Sequence, residues 1–143
     1  MQIYISGKRN NVLSKKEIKK ALNFFAQSMM SKRLCDNLTI FLENRNEYCF
    51  DGSSMWIDTN HRPREFEIVL KATMTKEQQL ITLAHEMVHV KQYARGELKS
   101  LVARRESIWH GNYITEEEYD YDNTPWEIEA YQKERELYLD YMK

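Results

Sequence analysis

The period of the hydrophobic positions changes several times along the chain, and each change marks an element. Residues 2–5, "QIYI", fit a short strand ended by Ser6-Gly7. Ile18, Leu22, Phe25 and Met29 then recur at helical spacing, and Ser14 with Glu17 fits a capping box at the start of that N-terminal helix. The pattern next turns to β. "LTIFLE" (38–43), "EYCF" (47–50), "SMWID" (54–58) and "EFEIVLKA" (65–72) are rich in branched and aromatic residues, with Asn, Asp and Gly turn signals between them. In the last, Phe66, Ile68 and Leu70 alternate with Glu67, Val69 and Lys71, which predicts one packed face.

A second helical stretch opens at Thr75, capped with Gln78, and runs to about Arg95, with Gly96 as the residue that ends it. Residues 97–123 read as irregular and charged, with aromatics at Trp109, Tyr113, Tyr119 and Tyr121. A C-terminal helix begins at Thr124-Pro125. Together these elements predict an α+β fold: a small, mostly antiparallel sheet packed against the N-terminal, middle and C-terminal helices. "FEIVLKA" is expected at the sheet edge.

The bulk properties narrow the class. The 143 residues suit one domain spanning 1–143, and no apolar run is long enough to span a membrane. The first residues, "MQIYISGKRNN", lack a secretory h-region, so a cytoplasmic protein is expected. A formal net charge of -1 supplies no global attraction to nucleic acid. The clusters Lys8-Arg9, Lys32-Arg33, Arg62 to Arg64 and Arg104-Arg105 read as solvated surface. Cys35 and Cys49 form no CxxC pair and read as free thiols.

The middle helix carries the chemistry, in "LAHEMVHVKQ". His85 and His89 stand four apart, so one helix face can aim both imidazoles at a single ion. Glu86 is rotated by roughly 100° and is better placed to act as a base on a water beside that ion. Leu83, Ala84, Met87, Val88 and Val90 surround the pair with apolar groups, unlike the neighbours of chance surface histidines.

A catalytic zinc commonly takes three protein ligands. On the C-terminal helix, Trp126, Ala130, Tyr131, Leu137, Tyr138 and Tyr141 form an apolar face that contains Glu127. Glu129 falls opposite, with Gln132, Lys133, Glu136 and Asp140, and is expected to face water. A carboxylate on a buried face needs a partner, and a metal is one. Two alternatives stay open. Glu127 can instead close a capping box with Thr124, and His110, in "IWHGNYI", can serve as the third ligand or as an oxyanion donor. Tyr113 and Tyr119 are further donor candidates. His61, in "NHRPRE", reads as solvent-facing.

HEMVH with "PWEIEAY" further on resembles the zincin metallopeptidases, and within them the gluzincin type. There a Glu of an E-x-x-A segment is the third zinc ligand; Glu127-Ile128-Glu129-Ala130 matches it. The chain also looks like small phage-encoded metallopeptidase-like proteins over roughly residues 75–135, which would put it in the host cytoplasm. The resemblance implies a zincin-like fold and a protein or peptide substrate that adds to a sheet edge as an extra strand. His85, His89 and Glu127 would hold Zn2+, with Glu86, and in a supporting role His110, as catalytic groups. Where the gluzincin pattern has an Asp after E-x-x-A, this chain has Tyr131, so a carboxylate that orients a ligand histidine must come from elsewhere; Glu134 and Glu77 are the candidates. HEMVH followed by His110-Gly111 is also similar to the SprT-like, DNA-associated proteases, which take a third His from an H-G motif. A zinc-stabilised binding domain without catalysis is the competing class; a basic face of Arg62, Arg64, Arg104 and Arg105 would turn it towards nucleic acid.

Overall fold

A computed structural model describes residues 1–101, 104–115, 117 and 120–143. Strand β1 (Gln2–Gly7) leads through helix α1 (Lys15–Met29) and a short helix α2 (Lys32–Asp36) to β2 (Thr39–Arg45). Strands β3 (Gly52–Trp56) and β4 (Glu65–Lys71) follow, then the long helix α3 (Lys76–Ala94). Three short strands, β5 (Leu98–Leu101), β6 (Glu106–Trp109) and β7 (Asn112–Thr115), precede helix α4 (Pro125–Tyr141). Both expected capping boxes are present, Ser14 with Glu17 and Thr75 with Gln78. Among the described residues no helix is long and apolar enough to cross a membrane.

The main sheet has the order β1-β2-β4-β3. Two of its ladders, β1 with β2 and β2 with β4, are parallel, and only β3 runs antiparallel. The expectation of a mostly antiparallel sheet is therefore corrected. Residue alternation reports which face of a strand is buried, not its direction. For β1 and β2 direction follows from connection length, because residues 8–38 carry α1 and α2 and make the crossover that parallel strands require; between β2 and β4 the chain returns through β3.

β4 is also not the edge. It lies between β2 and β3, and the sheet edges are β1 and β3. Burial of Val69 alongside Ile68 and Leu70 marks an interior strand. "EYCF" forms bends rather than a strand, and the chain enters β3 at Gly52. Residues 97–123, expected to be irregular, contain the sheet β5-β6-β7. Its strands of four residues are too short to display a period. The turn between β6 and β7 is His110-Gly111, with φ of 47° and 83°. Two consecutive positive φ angles are what a tight two-residue hairpin requires.

The helices cover one face of the main sheet. Ile40, Leu42, Phe66, Ile68 and Leu70 point into the core, while Tyr4, Phe41 and Met55 remain exposed. From the other side Ile18, Leu22 and Phe25 of α1, and Leu83, Met87 and Val88 of α3, complete the core. Twelve of the nineteen α3 residues are buried, so this helix is enclosed on nearly every side rather than amphipathic. Contacts with the sheet, α1 and α4 enclose it. Polar groups on such a helix need partners, and the polar groups of α3 are those expected to do chemistry.

Candidate metal centre

α3 and α4 cross where Ala130, fully buried, lets the two backbones approach. Glu127 lies one turn before it, almost completely buried, and turns its carboxylate towards α3. Glu127 Oε2 is 3.1 Å from His85 Nε2, and Oε1 is 3.0 Å from His89 Nε2. The two Nε2 atoms are themselves 3.2 Å apart. The capping alternative for Glu127 fails: Thr124 makes no side-chain cap, and its hydroxyl donates to the Tyr121 carbonyl instead.

The outer nitrogens fix the rings. His85 Nδ1 lies 2.7 Å from Glu134 Oε2, and His89 Nδ1 lies 2.9 Å from Gln92 Oε1. Both partners are acceptors, so each ring donates from Nδ1 outward, and a neutral ring then turns a lone pair on Nε2 inward. Glu134, one of the two carboxylates expected to substitute at Tyr131, is thus the group that orients His85. Tyr131 packs its ring beside His85 at 4.9 Å and donates its hydroxyl to Asp122.

With both rings neutral, two lone pairs and a carboxylate converging this closely repel one another unless a proton or a metal cation lies between them. Four-coordinate zinc with ligands at 2.0–2.1 Å separates its donors by ~3.3 Å. The observed 3.0, 3.1 and 3.2 Å come close to that figure. The group His85, His89 and Glu127 can therefore hold a metal ion. Without a metal, protons hold the same groups together, and a metal would have to displace them. Burial opposes ionisation of Glu127, yet hydrogen bonds from His85 and His89 hold its carboxyl down at about 2. Burial likewise opposes a charge on His85, but Glu127 and Glu134 raise it to about 10.

Glu86 is buried on the adjoining flank of α3, and burial pushes its carboxyl above the usual range, opposed by the nearby imidazoles and a hydrogen bond with Ser54 of β3. Edge strand β3 can come this close because it begins with a glycine. A Cβ at Gly52 would stand 2.6 Å from Thr82 Cγ2, 3.1 Å from the Val69 carbonyl and 3.4 Å from Glu86 Cγ. A cleft of about 540 Å³ opens over these groups. Asp51, Glu86, Asp122, Glu127 and Glu134 line it, together with His85, and no Lys or Arg does.

Other expected site residues lie elsewhere. His110 is exposed at the β6-β7 turn, its ring against Trp109 and its backbone N–H donating to the Glu97 carbonyl. It is not one of the three grouped donors and does not line the cleft. Tyr113 is exposed on β7, and Tyr119 lies outside the described residues. A phenol that does reach the centre is Tyr121: its residue is largely exposed, but its hydroxyl hydrogen-bonds Glu127, and partial desolvation with that carboxylate pushes it upward. The sequence marks it only as one of the aromatics of residues 97–123, with nothing to set it above Tyr113 or Tyr119.

Glu129 also departs from expectation. It does not face water: Glu129 Oε1 meets Lys91 Nζ at 2.6 Å and Gln92 Nε2 at 3.0 Å. α4 lies close enough to α3 for residues on both flanks of its contact stripe to touch that helix. Glu129 thereby steadies Gln92, which steadies His89.

No protein-family model, no curated protein and no solved structure matches this chain.

Proposed function

We propose that the chain is a zinc-dependent metallopeptidase of the zincin, gluzincin-like kind. The observation that carries this is the convergence of His85, His89 and Glu127 within 3.2 Å, with Glu86 beside them under an edge strand. Two nitrogens and one carboxylate make a donor set suited to zinc, and three protein ligands are the number that leaves a position for chemistry. Zinc held there supplies Lewis acidity, which makes water a nucleophile near neutral pH and polarises a carbonyl.

The remaining work belongs to the chain. Glu86 takes a proton from the attacking water and delivers it to the leaving amine. Its raised proton affinity suits a base that must later act as an acid. Glu134 and Gln92 hold the imidazoles in one tautomer, so neither ring has to reorient. Tyr121, with its hydroxyl at Glu127, is the donor best situated to meet negative charge developing on the substrate oxygen. The free edge of β3 offers its backbone to an extended peptide alongside the cleft.

The SprT-like arrangement needs His110 as a ligand, and His110 belongs to a hairpin turn whose backbone explains the His-Gly pair without metal. The test is cleavage of a peptide library by wild type and Glu86→Gln, both purified with metal. Cleavage by wild type that falls by roughly 10² to 10⁴ in the variant supports the proposal. Cleavage unchanged by the substitution removes Glu86 as the base, and metal retained without any cleavage favours a zinc-stabilised binding domain.

A further inference from the structure

Beyond the C-terminal end of α3 lies a second concavity of about 520 Å³ whose chemistry is opposite to that of the cleft. Arg33, Arg62, Arg64 and Arg95 line it with Ser31, Leu34, Asn37 and Ala94, and no carboxylate does. It stands six to ten residues along α3 from the histidines, which at 1.5 Å per residue is about 9–15 Å. Four guanidinium groups around one hollow repel one another, and in a chain of net charge -1 their gathering is a segregation, not an average.

One of the four is fixed by the fold, and a second is tethered at the surface. Arg64 Nη1 donates to the carbonyls of Arg62, Pro63 and Ala94, at 3.2, 2.9 and 2.8 Å. Arg95 donates to the Met29 carbonyl and pairs with Glu97. Arg33 and Arg62 are exposed and have no ion pair among the described residues. Arg62 lies against Gly96, where a Cβ would stand 3.0 Å from its Nε, so the glycine leaves room for the guanidinium beside the backbone. Lys99, whose Nζ meets His61 Nε2, continues the positive surface next to Arg62. Arg64 thus forms an anchored floor, Arg95 is tethered at its rim, and Arg33 and Arg62, without ion pairs among the described residues, can turn towards an anion. Planar guanidinium forks match the paired oxygens of a phosphate better than those of a monovalent ion.

We infer that the Arg33, Arg62, Arg64 and Arg95 hollow is a binding site for phosphate groups, independent of the metal reading. A small phosphorylated ligand and a nucleic-acid backbone present the same chemistry, and the experiment separates them. Calorimetric titration with inorganic pyrophosphate is run beside fluorescence anisotropy with a labelled single-stranded oligonucleotide of twenty nucleotides. Both use the whole protein and the double variant Arg33→Glu/Arg62→Glu. These two side chains are exposed, and circular dichroism and metal content check that the variant folds; Arg33→Gln/Arg62→Gln stands in if it does not. Saturable binding of pyrophosphate, weakened roughly tenfold or more in the variant, assigns the site to a small phosphate. Oligonucleotide binding that weakens likewise and falls steeply with added salt assigns it to a backbone. Absence of binding in both arms, or binding equal in wild type and variant, overturns the inference.

Discussion

Glu127 and Glu129 are two residues apart on one helix, and both reach α3, but they answer to different charges. Glu127 meets two imidazoles, whereas Glu129 meets Lys91, which is nearly fully buried and also pairs with Glu97 at 2.8 Å. Glu129→Ala leaves that lysine and the Gln92 amide each short of a partner, and is expected to destabilise the protein by about 1–3 kcal/mol in urea denaturation. A change within the error of the measurement would contradict the arrangement. Glu134→Gln weakens the grip on His85 Nδ1 without touching an inner ligand. Metal affinity, measured by competition with a chelator, is expected to drop roughly 10- to 100-fold. The metal-free protein has its own signature. Above its ordinary 4.5 the lowered Glu127 contributes its full stability, which is lost as pH falls towards about 2. Below its ordinary 6.5 the raised His85 contributes fully, and that is lost as pH rises through about 10. The two ranges overlap between pH 4.5 and 6.5, so after chelation Tm is expected to be highest there. A Tm that keeps rising from pH 7 to 9 would contradict the assignment of His85.

At the scale of elements, the residue pattern revealed helices better than sheets. α1, α3 and α4 are long enough for a 3.6-residue period to repeat several times, and their caps are local, so each could be located in the chain. The buried face of α4 likewise singled out Glu127. Strand direction and order were not legible, because pairing partners lie far apart in sequence and alternation is the same for either direction. Thus β4 was expected at the edge and is interior, while β3, polar and brief, holds the edge beside Glu86. The His-Gly pair is the opposite case, a motif that resembled a ligand and belongs to a turn. His110→Asn, a residue that tolerates the same backbone, is expected to leave metal content unchanged and stability within about 0.5 kcal/mol. Gly52→Val tests the contact between β3 and α3. The added atoms must push against Thr82 and the Val69 carbonyl, at a cost of about 1–3 kcal/mol, and are expected to lower hydrolysis beyond what lost folding explains. A Gly52→Val protein with the stability and activity of wild type would show that this close approach is unimportant.

Across the whole molecule, α3 links the core, the histidine pair and the arginine-lined hollow. Its buried length anchors the core, its middle presents His85, Glu86 and His89, and its C-terminal end meets the arginine-lined hollow. The carboxylate-lined cleft and that hollow carry opposite charge at two separate places on a nearly neutral chain. Metal content tests the central claim most directly. Mass spectrometric metal analysis is made on wild type, His89→Ala, Glu127→Ala and His110→Ala purified alike. About one zinc per chain is expected in wild type and in His110→Ala, with most of it lost from His89→Ala and Glu127→Ala. Full zinc in His89→Ala and Glu127→Ala, or zinc lost on replacing His110 alone, would contradict the account.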